Sequence, residues 1–419
     1  MANFEGLPLF GDVTTPGALY PLRTAPEFSG AVRLSTGEEV EVREGVKAVA
    51  VRGIAASNYE SVTGIAPELA NQGLDIFTLK GRTPLALQDV ENGHVAWWSE
   101  GQEAVIRFWC SSTITAAIRV TAEVRGPDGR LKPPDPENTP QWQESMRYYR
   151  MSELTDDLFD ACRNVYLALE SLLSWLHPKL LKSNGRPESD EDWFKRALKA
   201  EGRSVDLQSF SIPSSGNPVH DIYDELHNRI RNRIFHAKGS LSYVKAKGAQ
   251  ALLPQRLADR SEVANAKERY GRLYLVLAEE AFDAKFPSGG SGLSKEGARR
   301  MLGAITQGWN VAFTGDPTPA DSSDSEISPN GEAFINIPGR GFTDSRGDEY
   351  VAVIADARLP GVVGDVSSVG RMATVSQDGA LGAIYSLEGR LDLEGFDRCE
   401  FVFSFHVAGQ RARKTRYAT

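Results

Sequence analysis

The sequence predicts an α+β multidomain protein in which a central all-α four-helix bundle is flanked by N-terminal and C-terminal β-rich domains. Three observations predict it. Short alternating apolar runs occupy both ends of the 419-residue chain, apolar residues recur at helical spacing between about residues 146 and 286, and breaker-rich segments fall where the pattern changes. A chain of this length is too long for one ordinary domain and suits two or three.

The N-terminal part carries GAVRL, EVEVR, KAVAVR, HVAWW, AVIRFW and AAIRVTAEVR. These runs are rich in Val, Ile and aromatics and bounded by turn formers, which predicts an all-β sandwich or barrel. GPDGRLKPPDPENTP, residues 126–140, admits neither helix nor central strand and closes the first domain, 1–140, as a linker.

The helical domain follows over 141–292, and its first helix is read from SELTDDLFDACRNVYLALESLLSWLHP. Ser152 is placed as N-cap, and Glu153, Asp156 and Asp157 suit the positive end of the helix dipole. Leu154, Leu158, Val165, Leu169, Leu172 and Leu176 keep helical spacing until Pro178 stops the helix. In SDEDWFKRALKAEG, Ser189 and Asp192 resemble a capping box and Gly202 closes the end. A third helix runs from about Pro218 to Lys238, and a fourth, about 260–286, carries Val263, Tyr270, Leu273, Leu277 and Phe282. Four antiparallel helices bury a core between facing apolar stripes.

PSGGSG, residues 287–292, ends that domain. Residues 293–330 hold a brief helix over SKEGARRMLGAI and a flexible acidic linker, TGDPTPADSSDSEISPNG. EAFINI, EYVAVIADA, LGAIYSLEGRL and CEFVFSFHV then predict a smaller β-rich domain over 331–419, ending in the basic tail QRARKTRYAT.

Composition narrows the function classes. An apolar fraction of 41% and a charged fraction of 25% are those of a soluble globular protein. No apolar run approaches the roughly 18 residues needed to span a bilayer, and MANFEGLPLFGDV lacks a basic patch followed by an apolar core. A cytoplasmic location without membrane partners is expected. Cys110, Cys162 and Cys399 stand far apart with no CxxC spacing, so neither a disulfide framework nor a zinc site is expected. His94, His177, His220, His227 and His406 are scattered without HExxH or HxH pairing, and neither a GK[ST] phosphate loop nor GxSxG is present. Chemistry without metal or cofactor is therefore expected. The net charge of −9 argues against non-specific nucleic-acid binding over the whole surface, and leaves room for a local basic site.

The third helix supplies one. Residues four apart are offset by about 40° on a helix, so Ile222, Leu226, Ile230 and Ile234 form one apolar stripe that faces the core. Asp224, Asn228, Asn232 and His236 form a second stripe about 200° round from the first. A polar stripe is ordinarily a solvated face. Here Arg229, Arg231, Arg233 and Lys238 surround it, a local positive potential of the kind a phosphate site requires, and His236 falls in the last turn beside Lys238 and Gly239.

RNRIFH, residues 231–236, fits the Arg-Asn-x-x-x-His motif of the HEPN ribonuclease superfamily, and the helical region 146–286, about a third of the chain, resembles a HEPN domain in helix number, length and motif position. DACRNVYLALESLLSWL and the preceding RYYRMSELTDD are similar to ApeA-like and MauJ-like HEPN proteins. The resemblance implies an endoribonuclease in which an RNA 2′-hydroxyl attacks the neighbouring phosphate without a metal. It also implies a catalytic set of Arg231, Asn232 and His236. His236 would move the proton, Arg231 would hold the phosphate, and Asn232 would orient the imidazole or donate to phosphate. Glu225, Asn228 and Arg229 are candidates for supporting roles, and Arg233 and Lys238 for binding RNA.

Arg231 and His236, five residues apart, stand about 140° apart round a regular helix, too far to grip one phosphate alone. The resemblance implies two motifs meeting across a homodimer of the helical domain. It further implies a toxin or abortive-infection effector against phage, cutting tRNA or other RNA, with the β domains as candidates for binding a ligand or protein trigger. The alternative is a catalytically silent HEPN-type dimerisation module or ligand- or RNA-binding sensor.

Overall fold

The alternating runs at the two ends of the chain form strands, but those strands do not form two domains. In the computed structural model of the protein, the described residues are 2–10, 15–88, 90, 92–115, 140–183, 185–212, 216–235, 252, 254, 256–283, 309–315, 335–338, 340–343, 350–358, 368–376 and 381–408. Those of 1–117 and 290–412 make one compact unit, and those of 118–289 make another.

From the N-terminal part come β1 (Asn3–Phe4), β2 (Leu7–Pro8), β3 (Gly17–Pro21), β4 (Gly30–Arg33), β5 (Glu39–Val42), β6 (Ala48–Arg52), β7 (Gly93–Glu100) and β8 (Glu103–Thr115). From the C-terminal part come β9 (Asn310–Thr314), β10 (Ile335–Pro338), β11 (Arg340–Thr343), β12 (Tyr350–Arg358), β13 (Ser368–Val375), β14 (Leu381–Asp392) and β15 (Arg398–Ala408). They build a nine-stranded sheet ordered β11-β12-β15-β8-β7-β3-β6-β5-β4 and a six-stranded sheet ordered β10-β9-β13-β14-β1-β2. Each sheet draws on both ends of the chain. β15 runs parallel to β8 from Arg398 opposite Val105 to Ala408 opposite Thr115, while β1 pairs with β14 through Asn3 opposite Asp392. One core holds Phe4, Trp97 and Phe108 together with Phe313, Phe401 and Phe403. This overturns the expected flanking β domains. Alternation specifies a strand and its buried face but says nothing about which distant strand lies beside it.

A second correction concerns the expectation that the N-terminal part is all β. Tyr59–Leu79 is a helix, α1, whose start is capped by the Asn58 side chain accepting from the Ser61 N–H at 2.8 Å. Val62, Ala66, Leu69, Ala70, Leu74 and Phe77 are buried, and the helix lies on β3, β6 and β7. Those strands are therefore covered on both faces, and every side chain of Ala18–Tyr20, Ala48–Val51 and His94–Trp98 is buried. Gly73 permits the close approach: a Cβ there would stand 2.4 Å from a methyl of Val40 on β5.

His94 on β7 is buried between two polar partners. Tyr59 donates its hydroxyl to Nε2 at 2.7 Å, and Nδ1–H donates to the Val90 carbonyl at 2.8 Å, which fixes a neutral tautomer. Burial lowers its pKa from 6.5 to about 4, opposed by the Val90 hydrogen bond and assisted by Arg107. A depressed folded pKa means the unfolded chain takes up this proton first. Stability should then be full above pH 6.5 and fall by about 3 kcal/mol on acidification to pH 4. Urea unfolding at several pH values checks this, and His94→Gln should flatten that part of the profile.

The helical unit contains α2 (Glu144–Leu154), α3 (Leu158–Leu176), α4 (Asp190–Glu201), α5 (Pro218–Tyr223), a π-helical segment (Asp224–Arg231), α6 (Asn232–Phe235) and α7 (Leu257–Phe282). Its core gathers Val165, Leu169 and Leu172 from α3, Phe194 and Leu198 from α4, and Tyr270, Leu273 and Leu277 from α7. The expected four-helix bundle between two β domains is not what forms. The run expected as one first helix is divided, because Thr155 takes an extended backbone and the Asp157 side chain, not Ser152, caps α3 by accepting from the Asp160 N–H at 2.7 Å. Ser152 is instead buried inside α2, its hydroxyl donating to the Tyr149 carbonyl. The expected third helix is a composite of α, π and α segments. α4 starts as expected, with Ser189 Oγ accepting from the Asp192 N–H at 3.1 Å, and ends at Gly202.

Residues 126–139 of the expected first linker, the expected helix over SKEGARRMLGAI, residues 316–331 of the acidic segment and the basic tail lie outside the described residues. Among the described residues no helix is long and apolar enough to cross a membrane. Cys110, Cys162 and Cys399 are buried and none of the three is in a disulfide.

Candidate functional site

The segment carrying the candidate residues begins with Asn217 capping α5 through the His220 N–H and with Pro218 in the first turn, a start that proline's missing N–H suits. The helix then widens: the Asn232 N–H donates to the carbonyl of His227, five residues back. Such π-helical turns are rare, and in proteins they concentrate at functional sites. Ile222, Leu226 and Ile230 stay in the core and Ile234 packs against it, as the apolar stripe predicts.

Arg231, half-buried, lies at the centre of the candidate site. Its Nη1 donates to Asn232 Oδ1 at 3.3 Å and to His227 Nε2 at 3.4 Å, and its guanidinium carbon sits 5.3 Å from the centre of the Tyr166 ring on α3. One turn along α3, Glu170 Oε1 accepts from the Tyr166 hydroxyl at 3.3 Å. The His227 ring stacks on Tyr223 with centroids 4.9 Å apart. Burial pushes the Glu170 carboxyl above its usual range, and Arg231 pulls it back. Burial and the adjacent Arg231 both push the His227 imidazole below its usual value. Asp190, at the start of α4, is held low first by its hydrogen bond from Lys179 and then, after opposing burial, by charge that includes Arg231.

The other sequence-predicted residues divide. Asn228 donates to Asp224 Oδ1 at 3.0 Å, and Arg229, exposed, pairs with Asp224 Oδ2 at 3.3 Å. Arg233 reaches Glu262 on α7 at 3.0 Å. Glu225 turns away from Arg231 altogether: buried, it accepts from Arg269 Nη1 at 2.6 Å and from the Tyr270 hydroxyl at 2.5 Å, both on α7. His236 and Lys238 lie outside the described residues. The structure thus brings Asn232 to Arg231, directs Glu225 and Arg233 to α7, and adds Tyr166, Glu170 and His227. His227 was legible as a histidine four residues before Arg231, one helical turn away, and Tyr166 and Glu170 repeat that spacing on α3.

The placement of Glu225 makes its role structural. Glu225→Ala should leave Arg269 and Tyr270 facing an empty site and cost about 3 kcal/mol or more, the expected penalty for removing one partner of a buried ion pair. Thermal and chemical unfolding of the variant check this. A stability within a few tenths of a kcal/mol of wild type would return Glu225 to the supporting catalytic set.

The arrangement can hold an anion: a guanidinium oriented by an amide oxygen and a ring nitrogen, and backed by an aromatic face, is a preorganised donor for phosphate oxygens. Among the described residues no group of three or more His, Cys, Asp or Glu could hold a metal ion. No family model matches the chain, and neither a curated protein nor a solved structure matches it.

Proposed function

We propose that the protein is a metal-independent endoribonuclease of the HEPN type. It cleaves RNA, with tRNA a candidate target, by attack of a 2′-hydroxyl on the adjacent phosphate, leaving a 2′,3′-cyclic phosphate and a 5′-hydroxyl. The observation that supports this reading above others is the setting of Arg231: hydrogen-bonded to Asn232 and His227, backed by Tyr166, and carried on a π-helical turn. In this reading Arg231 neutralises charge on the phosphate oxygens, Asn232 orients it, and His236 takes and returns the proton. Arg233 and Lys238 are the candidates for contacting the RNA backbone. The enzyme acts in the cytoplasm as a homodimer through its helical unit, as an antiphage or toxin-type effector, with the β-unit taking a ligand or protein trigger.

The test is cleavage of total RNA and purified tRNA by the wild-type protein in EDTA, with product ends mapped. Cyclic phosphate ends formed in EDTA are the expected result. Absence of cleavage under all conditions, with phage-exposed cells indifferent to His236→Ala, overturns it. The contacts of Arg231 within its own chain also suit a second reading, a catalytically silent HEPN-type dimerisation or ligand- or RNA-binding module, in which Arg231 is a structural residue.

A further inference from the structure

We propose that His227 is a positioning residue for Arg231: its Nε2 accepts from the guanidinium and fixes the direction in which Arg231 faces a phosphate. The catalytic consequence rests on the ribonuclease reading above. The geometry does not.

An arginine side chain has five donors, no acceptor and no accessible neutral form. The 3.4 Å contact between Arg231 Nη1 and His227 Nε2 therefore makes Nε2 the acceptor and puts the ring proton on Nδ1. The other neutral tautomer would set a donor against a donor, and the imidazolium would set a cation against a cation. Nδ1 is buried beside Asn228, whose amide N–H donates to Asp224 and whose hydrogen bond to the ring favours the protonated form. The ring is oriented by its stack on Tyr223 and by the guanidinium.

The charged and titratable groups around the ring agree with a neutral acceptor. Burial and then Arg231 on its own element oppose protonation and set the direction downward, against the hydrogen bond of Asn228 and the charges of Asp190 and Glu191 from α4, which favour it. Tyr166 from α3 lies 6.3 Å away, centre to centre, and hydrogen-bonds to Glu170. At neutral pH the imidazole is therefore an acceptor. Protonating it in acid would remove the hydrogen bond and push the guanidinium away.

Two substitutions separate positioning from packing. His227→Gln keeps an acceptor oxygen but loses the stack on Tyr223, and His227→Phe keeps the stack but loses the acceptor. With both variants shown to fold by circular dichroism and thermal unfolding, His227→Gln should keep most of the RNA cleavage, and His227→Phe should lose about tenfold or more in kcat/KM, the scale of one hydrogen bond to a charged group. The reverse order, or two variants equal to wild type, overturns the proposal. In parallel, nitrogen-15 ring spectra of the full-length protein should show His227 neutral, with its proton on Nδ1, at pH 6.5. A proton on Nε2 overturns it as well. If the wild type cleaves no RNA, the ribonuclease reading has failed, and the ring spectra alone decide whether His227 accepts from Arg231.

Discussion

Arg231→Ala should lower kcat for RNA cleavage in EDTA by about 10²–10³-fold, the scale seen when one preorganised donor to a developing oxyanion is removed. Attack by the 2′-hydroxyl passes through a phosphorane-like transition state in which the non-bridging oxygens carry more charge than in the substrate. A guanidinium held in place beforehand stabilises that charge without reorganising at the moment of reaction. Arg231 is held in this way, by Asn232 and His227 through Nη1 and by the Tyr166 ring beneath it. Arg231→Lys separates charge from geometry: a lysine keeps the cation but lacks the planar fork, so it should recover only a small part of the loss. His236→Ala should cost about 10²–10⁴-fold if the imidazole moves the proton, and should flatten the neutral limb of the pH profile. The assay compares initial rates of the three variants and wild type on one tRNA, with folding of each verified by circular dichroism. Full activity in Arg231→Ala would make this arginine a packing residue and favour the silent module.

The features that were legible in the sequence are those set within a few residues of chain. Alternation in HVAWW and CEFVFSFHV marks β7 and β15, Ser189 marks the start of α4, and the spacing of Ile222, Leu226 and Ile230 marks the buried side of the candidate-site segment. What escaped depends on partners far away or on competition between near-equal local choices. Nothing in residues 103–115 says that β8 takes as its neighbour a strand beginning at Arg398. α1 was hidden because Pro67 stands inside it and Gly64 and Gly73 lower its helical propensity, whereas burial against β3, β6 and β7 outweighs those costs. Ser152 and Asp157 are both good caps, and only the extended backbone at Thr155 decides between them. The π-helical turn leaves no periodic trace, since an extra residue in one turn resembles a small phase error in the stripe. In the candidate site, the motif located Arg231 and Asn232, but the neighbours that hold Arg231 come from α3, some sixty residues earlier, and from a histidine one turn upstream.

A fragment ending at residue 115 should not fold. In the whole protein β8 lies inside the nine-stranded sheet, with β7 on one side and β15 on the other along Val105–Thr115. Cutting the chain there turns an interior strand into a long exposed edge, which is a template for aggregation. The core loses more than the sheet does. Phe4, Trp97, Ile106 and Phe108 share one cluster with Phe313, Met372, Phe401, Phe403 and Phe405, and each of these five C-terminal side chains is at most 1% exposed. At about 1.5–3 kcal/mol for each large apolar side chain, their removal costs on the order of 10 kcal/mol, comparable to the whole stability of a domain. β1 and β2 also lose β14, the strand through which they join the second sheet. The fragment should therefore be insoluble, or soluble without near-ultraviolet dichroism and without a cooperative urea transition. A point substitution tests the same core more gently. Phe403→Ala in the full chain should cost about 3–5 kcal/mol, because a fully buried ring leaves a cavity between two sheets that cannot easily collapse. Cooperative unfolding of the 115-residue fragment would mean that the N-terminal strands and α1 make a sufficient core alone. The distinction matters for the proposed trigger: with both ends of the chain in one core, a ligand that stabilises or loosens this unit acts on the N-terminal and C-terminal strands together.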